Sequence, residues 1–318
     1  MLRRSLITSL ALAPALPRVA WAGGFGSFLR NLQARALAAG IPGAIVQQAL
    51  ANLTPNATVL KLDKHQPEFT ETWATYSSHV LSATRIANGQ TKYAGTQNLL
   101  AAITSRFGVA AGALLGIWGL ETNYGATQGD FNVIDALATL AWDRDSHFFA
   151  GEAISAMRII ANGDAPDSAL IGSYAGAMGQ PQFMPSVYLS TAVSFSGNAA
   201  PDIWTSDADS LASMANYLAK AGWRTGEPSS EPVYAKLSSA AGTGRENVRT
   251  LGYWQSFGVQ RLPGAAPLPA DFPTALLLPD GPGGAAFFIY PNFAAIRRYN
   301  PSDYYALATA ALGRSILA

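Results

Sequence analysis

One carboxylate, Glu121, lies in the otherwise apolar stretch ALLGIWGLETNYGATQG at positions 113–129. Leu114, Ile117 and Trp118 precede it at the i, i+3, i+4 and i+7 spacing of a single helix face. The spacing predicts a helix that carries an acid on the same stripe as a tryptophan. Burial among apolar side chains penalises the charged form of a carboxyl group and raises its pKa, which suits a general acid.

The stretch alone leaves two interpretations of this acid open. Buried, unpaired Glu is rare in folded proteins, so a carboxylate turned to the helix rim and solvated is the simpler interpretation for an arbitrary helix. The other is a general acid held at the end of the helix, since Gly125 can adopt the positive φ at which many helices end.

A second polar cluster lies in a glycine-rich segment. Ser173 stands among the glycines of residues 172–179, and Gln182 and Met184 follow shortly after. Glycine is unfavourable inside regular elements but allows the backbone to approach a ligand closely. The segment is therefore either a tight structural turn or a loop that lines a binding site.

These two clusters belong to an ordered series of motifs that resembles the lytic murein transglycosylase B family. The series comprises GLETNYG at Gly119–Gly125, DALATL at Asp135–Leu140, GSYAGAMG at Gly172–Gly179, QFMP at Gln182–Pro185, ANY at Ala215–Tyr217, GW at Gly222-Trp223 and the Tyr-Asn motif at Tyr299–Tyr305. Ordered motifs over roughly two hundred residues are far more specific than one short match. The resemblance extends from about Phe25 to the C-terminus.

The resemblance implies a mainly α fold with a small β-containing subdomain and a lysozyme-like catalytic core. It implies that Glu121 is the catalytic residue and that Ser173 contacts the N-acetyl group of muramic acid. The substrate-binding residues implied in the same way are Tyr76, Arg144, Ser173, Met184, Gln182, Tyr217, Tyr299, Asn300 and Tyr305. The chain departs from the family beside Arg144, where a second arginine is replaced by Asp145.

The number of carboxylates constrains the reaction. Most glycosidases use two, but Asp130 and Asp135 are typical of a turn and a helix cap, which leaves Glu121 alone. One acid is enough where the 2-acetamido group of the substrate acts as the nucleophile. The resemblance implies non-hydrolytic cleavage of the β-1,4 bond between N-acetylmuramic acid and N-acetylglucosamine, giving 1,6-anhydromuramic acid ends. A hydrolytic muramidase and a non-catalytic glycan-binding protein are the alternatives.

The spacing of apolar residues and the positions of Gly and Pro predict the helices and strands that position these residues. Helical spacing is expected over Phe25–Ala51, with breaks at Gly40 and Pro42, and an extended or looped stretch follows at Thr54–Glu68. Further helices are expected at Phe69–Asn88, Thr96–Phe107, Gly151–Asn162, Leu211–Ala221 and Arg297–Leu317. Short β-prone runs are expected at Val233–Leu237, Ala275–Leu278 and Ala286–Ile289.

The chain is expected to divide into five parts, without a separate peptidoglycan-binding module. They are a signal peptide at 1–22, an N-terminal helical part at 23–110, a lysozyme-like core at 111–226, a small mixed or β subdomain at 227–290, and a C-terminal helical part at 291–318 that completes the cleft.

Composition excludes several classes of function. The net charge is +1 and charged residues are 13%, so there is no basic excess of the kind that binds nucleic acid. Cysteine is absent, and the three histidines lack metal-ligand spacing, so no cofactor or metal is expected. The expected partner is the glycan strand of peptidoglycan.

A loop at 194–205 lies where many members of the resembled family carry an EF-hand-like calcium loop. Such a loop needs anionic oxygens at alternating positions, but Ser194, Ser196 and Asn198 occupy them here. Asp202 and Asp209 remain, and Asp209 is equally typical of a helix cap. Weak or no calcium binding is expected.

The N-terminus predicts export. Arg3 and Arg4 precede an apolar run, and Ala20-Trp21-Ala22 matches a signal-peptidase site. No cysteine follows for lipid attachment, and no later stretch has about 18 uninterrupted apolar residues. A soluble periplasmic protein without a membrane anchor is expected, exported by either the general secretory or the twin-arginine route.

Overall fold

The computed structural model describes residues 24–64, 71–197, 200–237 and 242–318. The helices are α1 Phe25–Ala38, α2 Gly43–Leu50, α3 Ala57–Lys64, α4 Trp73–Val80, α5 Ala83–Phe107, α6 Ala111–Thr122, α7 Val133–Asp143, α8 His147–Asn162, α9 Pro185–Thr191, α10 Asp207–Lys220, α11 Leu251–Ser256, α12 Pro291–Tyr299 and α13 Asp303–Leu317. The strands are β1 Phe131–Asn132, β2 Ile171–Gly172, β3 Ser230–Tyr234, β4 Arg249–Thr250, β5 Gln260–Arg261, β6 Pro273–Leu277 and β7 Ala286–Ile289. Helix predominates, as the sequence predicts.

The described chain forms two compact units, each built from two separate segments. The first unit comprises residues 24–64 and Glu121–Asn216, and the second comprises residues 71–120 and Tyr217–Ala318. The boundary falls inside α6, so one helix begins in the second unit and ends in the first.

The first unit is built around the helix pair α7 and α8. Helices α1, α2 and α9 pack on α8, and α3 packs on α7. Asn132 begins α7 by accepting a hydrogen bond from the backbone N–H of Asp135, the usual role of an Asn at a helix N-cap. Strand β1 pairs antiparallel with β2, with Phe131 opposite Gly172. This pairing fixes the start of the glycine-rich segment to the start of α7.

Helices α6 and α13 approach each other closely in the second unit. A Cβ atom on Gly116 would lie 2.1 Å from the carbonyl oxygen of Thr309. One on Gly313 would lie 2.1 Å from the carbonyl oxygen of Gly112. Only glycine fits such contacts, so these positions set the distance between the two helix backbones.

The sheet of the second unit has the strand order β4-β6-β7-β3-β5, with every neighbouring pair antiparallel. Leu276 lies opposite Phe288 in the register, and both are fully buried. Trp254 on α11 packs on the same face and donates its indole N–H to the carbonyl of Thr274 at 2.9 Å. The predicted β-prone runs at Ala275–Leu278 and Ala286–Ile289 are confirmed as β6 and β7. The run at Val233–Leu237 overlaps a strand only at Val233 and Tyr234, since β3 spans Ser230–Tyr234.

The expected loop at Thr54–Glu68 is wrong over Ala57–Lys64, which forms α3. The side-chain oxygen of Asn56 accepts from the backbone N–H groups of Thr58 and Val59, so Asn56 caps the start of α3. The loop was predicted because Pro55 and Pro67 are typical of irregular segments. The predicted break of the N-terminal helix at Gly40 and Pro42 is confirmed by α1 and α2.

The predicted signal peptide at 1–22 lies outside the described residues. Within the ranges given above, no single helix has both the length and the apolar character needed to cross a bilayer; the sharply bent pair α5 and α6 meets those two criteria only when taken together.

Candidate active site

Glu121 lies at the end of α6 with 7% of its surface exposed. Leu114, Ile117 and Trp118 on the preceding turns are fully buried, which confirms the predicted apolar helix. The helix ends at Thr122, earlier than Gly125. Asn123, Tyr124 and Gly125 all have positive φ, so the chain turns sharply directly after the acid.

Thr122 holds this turn in place, a role that the sequence did not indicate. Its hydroxyl donates to the carbonyl of Gln180 at 3.0 Å and accepts from the N–H of Gly125 at 3.0 Å. Its own carbonyl accepts from the backbone N–H of Thr127 at 2.9 Å. Thr122 is fully buried, so these bonds satisfy groups that would otherwise be costly to bury.

The glycine-rich segment forms a tight loop. The N–H of Ser173 donates to the carbonyl of Ala177 at 2.8 Å, and the Ser173 hydroxyl oxygen accepts from the N–H of Ala177 at 3.1 Å. A hydroxyl that accepts in this way can still donate its hydrogen to a ligand. A Cβ on Gly172 would lie 2.1 Å from the Ala177 carbonyl oxygen, so glycine is required for this loop.

Gln182 and Met184 follow this loop in the first unit. Gln182 is buried, with a backbone φ of +51°, and its amide NH₂ donates to the carbonyls of Gly179 at 2.8 Å and Gln128 at 3.2 Å. Its side-chain oxygen is therefore the atom suited to receive a bond from a ligand. Met184 is half-buried and occupies the N-cap position of α9.

Arg144 is paired within the first unit. Its guanidinium donates to both carboxylate oxygens of Asp63, with Nε 2.7 Å from one of them. The Asp63 side chain is 8% exposed, so the pair is well shielded on that side. The guanidinium also lies 5.8 Å from the ring centroid of Phe149. Asp63 therefore compensates much of the positive charge that Arg144 would offer a substrate.

The predicted tyrosines and Asn300 all lie in the second unit. The rings of Tyr217 and Tyr299 meet edge to face at 4.8 Å between centroids. The Tyr217 hydroxyl donates to the carbonyl of Arg298. Burial raises the pKa of this hydroxyl, although the charge of Arg298 acts in the opposite sense. Asn300 and Tyr305 are buried at the junction of α12 and α13, where Asn300 Oδ1 accepts from the N–H of Ser302 at 3.1 Å.

Tyr76 lies on α4 in an aromatic cluster of the second unit. Its ring centroid is 6.2 Å from that of Trp73 and 5.6 Å from that of Tyr304. Asp280 anchors the start of the helix, because its carboxylate accepts from the N–H of Trp73 at 2.6 Å and that of Ala74 at 3.2 Å. The cluster fixes the position of the Tyr76 ring.

Asp202 in the loop at 194–205 and Asp209 on α10 both accept hydrogen bonds from the backbone of that loop. Asp209 accepts from the N–H groups of Phe195 at 2.8 Å and Asp202 at 3.0 Å. The expected capping role of Asp209 is therefore wrong; the hydroxyl of Ser206 accepts from the Asp209 N–H instead.

Asp202 likewise binds its own segment. Burial alone would raise the pKa of its carboxyl, but bonds from the hydroxyl and N–H of Thr205 and from the N–H of Trp204 outweigh burial and lower it. The Ser194 and Ser196 hydroxyls bond to each other at 3.1 Å, and Asn198 lies outside the described residues. Among the described residues, no group of three or more His, Cys, Asp or Glu is arranged to hold a metal. Weak or no calcium binding at this loop stays a prediction.

Asp135, one of the two aspartates that follow the GLETNYG motif, is engaged by another side chain of the first unit. Asp135 accepts from the side-chain amide of Asn56 at 2.9 Å and lies in the first turn of α7. Its expected role as the cap is wrong, because Asn132 caps α7. The first unit thus contains a buried carboxyl at a helix end and a loop that offers a hydroxyl and an amide oxygen.

Comparison with known proteins yields one consistent group. A family model described as the transglycosylase SLT domain matches residues 24–314. The chain is 32% identical over 253 residues to membrane-bound lytic murein transglycosylase B of Escherichia coli (strain K12), a match that covers 77% of this chain and 67% of that relative.

Solved structures give the same result. SltB3 from Pseudomonas aeruginosa, in complex with NAG-anhNAM-pentapeptide, superposes with a TM-score of 0.87 at 38% identity, covering 93% of this chain and 80% of that one. The Escherichia coli lytic transglycosylase Slt35, in complex with calcium, superposes with a TM-score of 0.77 at 28% identity, covering 91% of this chain and 92% of that one. The predicted mainly α, lysozyme-like fold with a small sheet is confirmed.

Proposed function

The chain belongs to the SLT-domain family of lytic transglycosylases, enzymes that cleave peptidoglycan, and from this membership we propose that Glu121 performs the chemistry as acid and then as base. The observation that carries the proposal is the position of Glu121, a buried carboxyl at the end of α6 inside the motif GLETNYG. The substrate is the β-1,4 bond between N-acetylmuramic acid and N-acetylglucosamine in the glycan strand.

The reaction proceeds in two steps that need no second carboxylate. In the first, Glu121 donates its proton to the glycosidic oxygen while the 2-acetamido oxygen of muramic acid attacks C1, and the bond from C1 to the leaving sugar breaks. In the second, the Glu121 carboxylate removes the proton of the 6-hydroxyl, whose oxygen attacks C1 and displaces the acetamido oxygen. Glu121 is then protonated again, and the product is a 1,6-anhydromuramic acid end.

The remaining residues bind and orient the glycan. Ser173 donates to the N-acetyl carbonyl of muramic acid, and the Gln182 side-chain oxygen accepts from the sugar, in keeping with the atoms that their internal bonds leave available. Aromatic faces suit sugar rings, which supports a binding role for Tyr76, Tyr217, Tyr299 and Tyr305. Asn300, Met184 and the Asp63-paired Arg144 complete the proposed set.

Support for this substrate comes from what the relatives bind. Two structures of SltB3 contain NAG-anhNAM-pentapeptide and NAG-NAM-pentapeptide, and the first of these carries an anhydro sugar.

We assign the chemistry to a lysozyme-like core at 111–226, with helical parts at 23–110 and 291–318 and a small sheet subdomain at 227–290. A cell-wall substrate also agrees with export by a signal peptide at 1–22 and action in the periplasm.

Product analysis tests the reaction. Purified sacculi are digested with the protein, and the released muropeptides are separated and identified by mass spectrometry. Anhydro ends without reducing ends are expected, since the 6-hydroxyl takes the place of water. Reducing ends would identify a hydrolytic muramidase, and absence of release would identify a glycan-binding protein without catalysis.

A further inference from the structure

A cavity of about 270 Å³ lies within the second unit, beside the sheet, and has no part in the proposed reaction. Ala275 on β6 and Ile289 on β7 line one side, and Phe293 and Ala294 on α12 line another. Arg245, Glu246 and Val248, from the short segment before β4, also line the cavity. The volume is close to the lower end of ligand cavities in proteins.

The polar groups of the cavity are few and mostly cationic. Tyr290 also lines it, but its hydroxyl donates to Glu231 and leaves only the ring. The charged lining residues are Arg245, Arg297 and Glu246. Both guanidiniums contact one carboxylate, Asp303, at 3.2 Å from Arg245 and 2.6 Å from Arg297. Asp303 holds the two cations side by side.

Glu246 shows what kind of group Arg245 accepts at this cavity. Its carboxylate lies 3.0 Å from Nε of Arg245, and its side chain is 83% exposed. An exposed pair between neighbouring residues contributes little stability, so another carboxylate can replace Glu246 at low cost. Guanidinium groups bind carboxylates with directional, charge-assisted hydrogen bonds.

We propose that this cavity binds the free carboxylate end of a peptide whose last residues have small apolar side chains, namely the C-terminal alanine end of the stem peptide of peptidoglycan. The carboxylate displaces Glu246 from Arg245, and the small side chains pack on Ala275, Ile289 and Phe293. The choice of stem peptide rests on the proposed function, because it is the peptide that the glycan substrate carries. The site makes the protein sensitive to the length and end group of that peptide.

Titration of the full chain with N-acetyl-D-alanyl-D-alanine and its C-terminal carboxamide tests the proposal. The acid is expected to bind at least about tenfold more tightly than the amide, because the amide loses the charged hydrogen bonds. Arg245→Gln should abolish this preference, and Glu246→Gln should strengthen binding of the acid. Equal binding of acid and amide would overturn the proposal.

Ala294→Trp tests the cavity itself, with Ala102→Trp as its control. Both alanines are exposed on helices of the second unit, but only Ala294 lines the cavity. Ala294→Trp should remove dipeptide binding and leave release of anhydro ends from peptide-free glycan strands unchanged, whereas Ala102→Trp should change neither. Dipeptide binding that survives Ala294→Trp would place the site elsewhere. If wild-type protein released no anhydro ends, the proposed function would be wrong, but the result of the dipeptide titration would still stand.

Discussion

Glu121 and Glu152 are two buried carboxyl groups of the first unit with different surroundings. Glu152 is 5% exposed and accepts from the N–H of Ser186 at 2.9 Å and from its hydroxyl at 2.6 Å. It therefore stabilises the start of α9. Glu121 is 7% exposed and ends a helix in front of a sharp turn, a placement suited to a group that meets a ligand.

Glu121→Gln is expected to lower the release of anhydro-muropeptides by about two to four orders of magnitude. Gln retains the size of the side chain but transfers no proton as an acid, so both proposed steps lose their catalyst. Glu152→Gln serves as the matched control, with release near wild type and a lower melting temperature. Release, melting temperature and affinity for a muropeptide oligomer are measured for each variant. Near-wild-type release from Glu121→Gln would assign the chemistry to another residue.

Ser173→Ala is expected to slow turnover about ten- to a hundredfold, because it removes one polar contact worth roughly 1–3 kcal/mol. The same change deletes the acceptor for the Ala177 N–H, so a small decrease in melting temperature accompanies it. Ser190→Ala, at an exposed serine on α9, is the control. Steady-state kinetics on a soluble muropeptide oligomer measure the effect, and unchanged kinetics would remove Ser173 from the site.

At this scale the apolar helix before Glu121 could be predicted from helical spacing, whereas the spacing left the burial of Glu121 itself open and gave no sign of the role of Thr122. Its hydroxyl bonds to the carbonyl of Gln180, which is 58 residues away in the chain. Local periodicity carries no information on such a partner. The pairing of Arg144 with Asp63 could not be predicted for the same reason, because the two residues are far apart in the chain.

Among the elements, helix α4 depends on a residue far away in sequence. Asp280 caps its first turn from across 207 residues, and Tyr304 donates its hydroxyl to Asp280 at 3.4 Å. Burial raises the pKa of that hydroxyl, and the charge of Asp280 adds to the effect. Thus one carboxylate links the start of α4 to the ring that packs on Tyr76.

Asp280→Ala is expected to destabilise the fold by about 1 kcal/mol, the usual effect of losing a helix cap, and to raise KM more than it lowers kcat. The physical reason is that Tyr76 loses its fixed position while Glu121 remains unchanged. Asp280→Asn should restore part of the loss, because its oxygen still accepts one N–H. Asp271→Ala, at another exposed aspartate, is the control. An unchanged KM for Asp280→Ala would exclude Tyr76 from glycan binding.

The loop at 194–205 is expected to bind calcium weakly or not at all. Asp202 and Asp209 accept hydrogen bonds from the loop backbone, so an ion would compete with bonds that already exist. Melting curves with and without millimolar calcium measure this. A rise of many degrees would contradict it. Magnesium at the same concentration is the control for ionic strength.

The elements were largely predictable where apolar spacing or runs of apolar and aromatic residues were strong, as in α1, α8 and β7. The short elements were not, since α3 depends on the cap supplied by Asn56, and β4 and β5 have two residues each. Two-residue strands exist only through their partners. No window of sequence contains the pairing of Arg249 with Thr274.

At the scale of the whole molecule, the two units interleave along the chain, which periodicity does not predict. The second unit joins residues 71–120 to Tyr217–Ala318. Helix α13 packs on α5, and its glycine at 313 contacts the backbone of Gly112 on α6. The C-terminal segment therefore loses the packing of α13 on α5 and α6 when it is separated from residues 71–120.

A fragment of residues 217–318 is consequently expected to lack a cooperative thermal transition when produced alone. Its exposed apolar face includes Leu307 and Leu312 on α13, which are fully buried in the intact chain. Burial of each large apolar side chain contributes about 1.5–3 kcal/mol, so loss of several such contacts exceeds the marginal stability of a domain. Circular dichroism melting of the fragment measures this, with the intact chain as reference. Addition of a fragment of residues 24–216 should restore a transition, because it supplies α5 and α6. A sharp melt of the isolated C-terminal fragment would show that the sheet and α13 fold independently, and the interleaved unit would not be a single folding unit.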